Sequence, residues 1–220
     1  MTVIKGASKK VVAGLLILTM CTNMLPSVSV LAGEGDGAPA WTACTECSEE
    51  SPHIITTKEE LDAIRTHINT EGHVDGYFQL GDDIVFEKAD FEEGGAFYNG
   101  GLGWMPIGHD GTTHSENADY EPAICDIWLD GNGCTISGLE HYSRPGDITS
   151  GKDSWGNTPA IEYSGLIGIA GDATIQDLVI EDTLMYLQYG GGAIYGAGSN
   201  GTVVDNVTLR NVGVLNQYLY

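Results

Sequence analysis

Beyond Tyr77 the apolar positions fall in short runs cut by Gly, Asn and Asp: YFQL, DIVF, WMPIG, ICDIWL, TISGL, SGLIGI, TIQDLVIED, GGAIYG and TVVDNVTLRN. Runs this short, bounded by turn residues, predict strands. Only the stretch before them has a helical period. Thr57-Lys-Glu-Glu60 fits a capping box, and Leu61, Ile64 and Ile68 follow on one face, predicting a short helix to about Asn69. The expected class is therefore all-β with one N-terminal helix.

The strand runs repeat. Ile175, Leu178 and Ile180 recur as Val204, Val207 and Leu209 at a constant offset of 29 residues. At the same offset Asp177 falls on Asn206 and Asp182 on Asn211. A Gly-bounded apolar segment precedes each copy, Gly165-Leu-Ile-Gly168 and Gly192-Ala-Ile-Tyr-Gly196. A third copy is read at Ile136-Ser-Gly-Leu139, 39 residues before Ile175 and Leu178, its extra length assigned to an inserted loop from Ser143 to Pro159. A repeat of several short strands and no helix predicts a solenoid, each repeat one coil, with inward Ile, Leu and Val stacking on their counterparts. Gly, Asn and Asp would hold the corners, where positive φ or a side-chain-to-backbone bond is needed. The expectation is a right-handed parallel β-helix, with Asp177/Asn206 and Asp182/Asn211 as polar ladders at two corners.

Charge narrows the partners. The 220 residues carry 31 acidic and 9 basic side chains, a formal charge of −22. Such a surface excludes nucleic acid and argues against anionic lipid, both of which need clustered Lys and Arg. A hydrophobic share of 42% excludes a disordered chain. The 31 glycines follow no triplet period, which excludes collagen and fits many tight turns.

Residues 1–32 read as a secretory signal: Lys5, Lys9 and Lys10, then apolar Val11 to Met20, then small Val30 and Ala32 before a cleavage point at Gly33. The apolar stretch is shorter than the about 20 residues a bilayer needs. Residues 33–52 form a polar linker with a cysteine pair, 53–76 a helical cap, and 77–220 the coils. The last residues, Gln217-Tyr-Leu-Tyr220, read as an uncapped coil edge, so a truncated chain, further domains of a longer protein, or an end covered by a partner is expected. Cys44, Cys47, Cys125 and Cys134 remain after cleavage, an even count that in an exported chain favours disulfides, with three connectivities open. Zinc or redox use of Cys44-Thr-Glu-Cys47 is the weaker reading. The expected location is secreted or cell-surface.

Four motifs then occur in order: Tyr77-Phe-Gln-Leu80 with Asp82-Asp-Ile84, Trp104-Met-Pro-Ile-Gly108, Leu129-Asp-Gly-Asn-Gly133-Cys-Thr-Ile-Ser-Gly-Leu139, and Gly165-Leu-Ile-Gly168. This series resembles the GLUG-motif β-helix proteins of bacterial surfaces, over roughly Ile54 to Val214. The resemblance implies a pectin-lyase-like right-handed β-helix inside a surface protein, adhesin-like or protease-associated. Two positions depart from that pattern: Ile124-Cys-Asp126 stands for the usual F-x-G, and Cys134 follows the Asp-Gly-Asn-Gly turn. Those departures bring Cys125 and Cys134 forward as partners for each other.

Glycoside hydrolysis needs two carboxyl groups flanking one bond. The candidates are Asp177, Asp182 and Asp205, with Glu181 beside them. Asp177 and Asp182 follow the repeat, as a ladder does, whereas a site should interrupt it. A lyase for acidic sugars would want basic groups, and the mature chain offers only Lys58, Arg65, Lys88, Arg144, Lys152 and Arg210. The acidic excess is compatible with bound calcium, although Asp130-Gly-Asn-Gly133 is also a tight-turn sequence. His109, His114, Glu116 and Asp119 read as an exposed polar loop. For recognition, aromatics cluster at Trp128, Tyr142, Trp155, Tyr163, Tyr186, Tyr189 and Tyr195, while Trp104 reads as core. Trp155, Tyr142 and Tyr163 are the predicted ligand-binding residues, around the inserted loop. The expected function is a non-catalytic display or adhesion module for an extracellular glycan or protein. A carbohydrate-active enzyme and a structural spacer are the competing classes.

Overall fold

The computed structural model describes residues 47–69, 71, 73, 75–108, 124–143, 163–187 and 190–216, all within the unit Gly37–Tyr220. Residues 1–32, read above as a signal, together with Cys44, His109, His114, Trp155, Tyr189 and Gln217 to Tyr220, lie outside the described residues. In chain order come β1 (His53–Ile55), α1 (Lys58–Asn69), β2 (Tyr77–Leu80), β3 (Ile84–Val85), β4 (Trp128–Asp130), β5 (Thr135–Ser137) and β6 (Glu140–Tyr142). Next are β7 (Tyr163–Ser164), β8 (Ile167–Ala170), β9 (Thr174–Gln176), β10 (Val179–Glu181) and β11 (Leu184–Leu187). Finally there are β12 (Gly190–Gly191), β13 (Tyr195–Gly198), β14 (Val203–Asp205), β15 (Thr208–Arg210) and β16 (Gly213–Asn216).

Helix α1 starts as the capping box predicts. The Glu60 amide donates to Thr57 Oγ1 at 3.1 Å, and the Thr57 amide donates to Glu60 Oε2 at 3.2 Å. Leu61, Ile64 and Ile68 are buried, joined by Ala63 and His67. The helix is tied at its end, where Asn69 Nδ2 donates to the Pro106 carbonyl and Oδ1 accepts from the Gly108 amide. Among the described residues no helix is long and apolar enough to cross a membrane.

The remainder is strand-rich, and every strand pair in the sheets is parallel. The first sheet runs β1-β2-β4-β9-β14, the second β3-β5-β10-β15, the third β6-β11-β16, and two pairs are β7-β12 and β8-β13. Strand β1 carries the first sheet back to His53, ahead of the Tyr77 boundary expected for the strands. Inward positions stack in register: Phe78, Leu129 and Ile175 in the first sheet, Ile84, Ile136 and Ile180 in the second, all buried. Together with the α1 face and Trp104 they form one hydrophobic cluster. Trp104 is 0% exposed and its indole N–H donates to the Leu166 carbonyl at 3.2 Å.

The offset of 29 holds through three consecutive strands: Val204 pairs with Ile175, Leu209 with Ile180 and Val214 with Met185. The third copy is placed differently from the sequence reading. Ile136 pairs with Ile180, not Ile175, and Leu129 is the partner of Ile175. The offset is thus 46 residues at the first strand (129 to 175) and 44 at the second (136 to 180). The Asp130–Cys134 turn absorbs the difference, because it uses Gly131, Asn132, Gly133 and Cys134 where the later coil turns with Asp177 and Leu178 alone. Ile-x-x-Leu spacing recurs at two different corners of the repeat, so spacing alone does not distinguish them.

Candidate ligand-binding face

In a strand, residues two apart share a face. With Phe78, Leu129 and Ile175 pointing inward, their neighbours on either side point outward across the first sheet. Tyr77, Trp128, Thr174 and Val203 are in register on β2, β4, β9 and β14, and so are Gln79, Asp130, Gln176 and Asp205. Two residues before the first row lie Asp75, Asp126 and Asp172. The outward face therefore carries three rows: carboxylates at the entry corner, aromatic and small residues along the middle, and alternating amides and carboxylates beyond. Adjacent strands set the row spacing at about 4.8 Å.

The Tyr77 and Trp128 rings sit 6.3 Å apart at 44°. Asp75, Tyr77, Asp126, Trp128 and Asp172, with Glu49, line a groove of about 170 Å³. Four carboxylates and no basic side chain among its described lining make the groove hostile to anions and suited to hydroxyl donors or cations. The aromatic rings add apolar faces for stacking.

One of those carboxylates also ties one repeat to the next. Asp126 Oδ1 accepts the Asp172 amide N–H at 2.9 Å, across 46 residues. This brings the carboxylate so close to Gly171 that a Cβ there would lie 1.8 Å from Asp126 Oδ1. Asp172 Oδ1 approaches Gly201 of the next repeat as closely, 1.8 Å from where a Cβ would lie. Asp126 in Ile124-Cys-Asp126 thus has a structural use. The same device recurs at another corner, where Asp83 Oδ1 accepts the Thr135 amide at 2.7 Å.

The predicted carboxylates are distributed, not paired. Asp177 and Asp182 sit at corners on either side of β10, both with φ near +50°. Asn206 Nδ2 donates to Asp177 Oδ1, and Asn211 Nδ2 to Asp182 Oδ1, each at 2.5 Å. Glu181 is ion-paired with Arg210 at 3.0 Å. Only Asp205 falls on the outward face, at the exposed end of the third row. Asp130 is turn-forming: Oδ1 accepts from the Asn132 amide at 2.7 Å and Oδ2 from Gln79 Nε2 at 2.9 Å. Both oxygens are engaged in holding the turn and the row.

Tyr142 stacks on Tyr186 at 4.9 Å and 9° in the third sheet, donating to Glu140 Oε2 at 3.2 Å. Burial first, then Glu140, push its hydroxyl pKa up to about 12. It lines a second, more open groove of about 290 Å³ with Lys88, Phe91, Glu92, Gly101 and Glu140. Tyr163, on β7, is half-buried and is not among the described residues lining either groove. Trp128 and Tyr77 were the aromatics to single out. Their signal was the matching Asp-x-Tyr77 and Asp-x-Trp128, which only the register identifies as neighbours.

Cys125 and Cys134 carry free thiols, so the bond expected between them is absent. They lie at opposite ends of β4, whose three residues alone span about 10 Å, against a Cα limit near 7 Å for a disulfide. Cys125 points inward and pairs with Ala170 in a parallel bridge. Cys134 takes the corner position that Leu178 holds in the next coil. Cys47 is disulfide-bonded, to a partner outside the described residues.

One buried group has the composition of a nucleophile and base. His141 Nε2 lies 2.7 Å from Ser164 Oγ, which lies 3.0 Å from Ser143 Oγ. His141 Nδ1 lies 2.7 Å from the Trp104 carbonyl, which can only accept. A neutral His141 therefore donates there and accepts from Ser164 at Nε2. All three side chains are 0% exposed, and their mutual hydrogen bonds satisfy polar atoms buried in the core.

Comparison of the chain with protein-family models, with curated proteins and with solved structures finds no match.

Proposed function

We propose that this chain is an exported β-helix module that binds a neutral glycan on the outward face of its first sheet and does not cleave it. The observation that carries the reading is the in-register placement of Tyr77 and Trp128 beside the Asp75, Asp126 and Asp172 row. Rows repeating at about 4.8 Å are close to the length of one sugar unit in an extended chain. Stacked rings would take the apolar faces of the sugars, and the carboxylates would accept from their hydroxyls. Want of basic groups in the groove favours a neutral polysaccharide over an acidic one.

Five sheets of parallel strands, entered in the same order by each repeat, support a right-handed solenoid. The ordered motif series supports the GLUG-type likeness. The Cys47 disulfide supports export, since such bonds persist in oxidising compartments. Absence of turnover is favoured because Asp126 hydrogen-bonds the Asp172 amide and the two hold the same position in successive repeats.

The test is affinity electrophoresis and a glycan array on the full chain, with and without calcium, alongside a reducing-end assay. Retention on a neutral polysaccharide, weakened at least tenfold by Trp128→Ala and not by Tyr142→Ala, is the expected result. No binding to any neutral glycan overturns the reading. Release of reducing ends that Asp75→Asn abolishes makes the chain an enzyme instead.

A further inference from the structure

Three of the six histidines, His53, His67 and His73, gather around the C-terminal end of α1, beside Phe78. His67 is on the last turn of the helix and buried, 7% exposed. The chain then folds back sharply. The Glu71 amide donates to the Thr66 carbonyl at 3.2 Å and the His73 amide to the His67 carbonyl at 3.3 Å. That turn lays the His73 ring over the His67 ring at 4.3 Å and 11°. It also brings Glu71 Oε2 to 3.2 Å from His67 Nδ1.

One donor atom from each of His67, Glu71 and His73 lies within 4.8 Å of the other two. Two imidazole nitrogens and one carboxylate oxygen are a donor set for borderline divalent metals, not for calcium or magnesium, which take oxygen. All three come from one short stretch of chain, so little further ordering is needed to assemble them. Metal–nitrogen bonds of about 2.1 Å in a tetrahedron require donors roughly 3.4 Å apart. The rings must therefore turn out of their parallel stack, and no donor pair, all being within 4.8 Å, has to close by more than about 1.4 Å. Glu71 is exposed and His73 half-buried, so two of the three are positioned to do so while His67 stays anchored.

We propose that His67, Glu71 and His73 bind a divalent transition metal of the zinc class, with a fourth position open to water or an external ligand. The site is separate from the glycan face and does not depend on it. Its place is the turn that joins α1 to β2, where metal would lock the helix end to the first sheet.

The experiment is titration of the full chain with Co²⁺, read by its visible absorption, followed by displacement with Zn²⁺. Wild-type protein is expected to bind one Co²⁺ per chain at this site, with the intense bands of a four-coordinate ion. His73→Ala and Glu71→Gln change the accessible ligands and leave the buried His67 in place, and circular dichroism checks that each folds. Each should weaken Co²⁺ affinity tenfold or more. Absence of saturable binding overturns the proposal. So does an affinity unchanged within twofold in His73→Ala, or binding lost only when His109 and His114 are both replaced by Ala.

Discussion

Asn206 Nδ2 donates to Asp177 Oδ1 at 2.5 Å, and the two residues have the same left-handed backbone, φ +50° and +48°. Asn and Asp tolerate that conformation because their short side chains bond locally, whereas a β-branched residue is strained in it. The pair is both a corner and a link between coils. Replacing Asp177 by Asn keeps both functions and should change stability by no more than about 0.5 kcal/mol. Replacing it by Val loses both, and about 1–3 kcal/mol is expected. Urea denaturation measures each. A large loss on Asp177→Asn would mean that the charge matters beyond the ladder.

Lys58 Nζ sits 2.6 Å from Asp90, joining the first residue of α1 to the turn at Lys88–Asp90. Burial pushes the Asp90 carboxyl up, but the Lys58 hydrogen bond, the Glu87 amide and the Lys58 charge together hold it below its usual value. A depressed carboxyl contributes stability that is present above the unfolded pKa near 3.9 and is lost as pH falls through the folded value. Asp90→Asn should therefore cost about 1–2 kcal/mol at pH 7. The difference from wild type should shrink below about pH 4, as read by denaturation across a pH series.

Thiol chemistry should separate the two free cysteines. Burial pushes the Cys125 thiol up to about 12. Cys134 is raised too, by burial and then by Asp83, Asp82 and Asp130. Only thiolate reacts with alkylating agents. At pH 8 native protein should leave Cys125 unmodified and label Cys134 more slowly than a free thiol, while denaturant should release both. Mass spectrometry of iodoacetamide-treated protein reads this directly, and rapid native labelling of Cys125 would contradict its placement in the core.

Among the described residues, the inward row is covered by a following strand only as far as β9, β10 and β11. Val204, Leu209 and Val214, the counterparts of Ile175, Ile180 and Met185, are 40%, 48% and 47% exposed. Apolar side chains on an unpaired strand edge promote association. Leu209→Glu should lower self-association in sedimentation velocity while changing unfolding stability by less than about 1 kcal/mol, the range for exposed positions. A stability loss above that would show the row to be covered.

Much of the local structure was legible from residue type. Thr57 and Glu60 name the start of α1 because a capping box is built from side chains within one turn. Asp177, Asp182, Asn206 and Asn211 mark their corners because positive φ restricts which residues fit. The 29-residue period was legible because inward positions of adjacent coils meet similar surroundings. Where the repeat was irregular, the same logic failed. Ile136-Ser-Gly-Leu139 resembles Ile175–Leu178 in pattern, and no local feature shows that the Asp130–Cys134 turn is two residues longer.

What the sequence determined alone was thus whatever depends on neighbours along the chain: the helix and its cap, the short strand runs, the corner residues and the acidic charge. The tertiary structure decided what depends on register between parallel strands. Register sets Tyr77 beside Trp128 and the Asp126 carboxylate over Gly171, and it separates Cys125 from Cys134 across β4. The fold-back of the chain after α1 lays His73 on His67. These relations join residues whose separation along the chain carries no local signal. They arise only when inward side chains pack and hold each strand against the next.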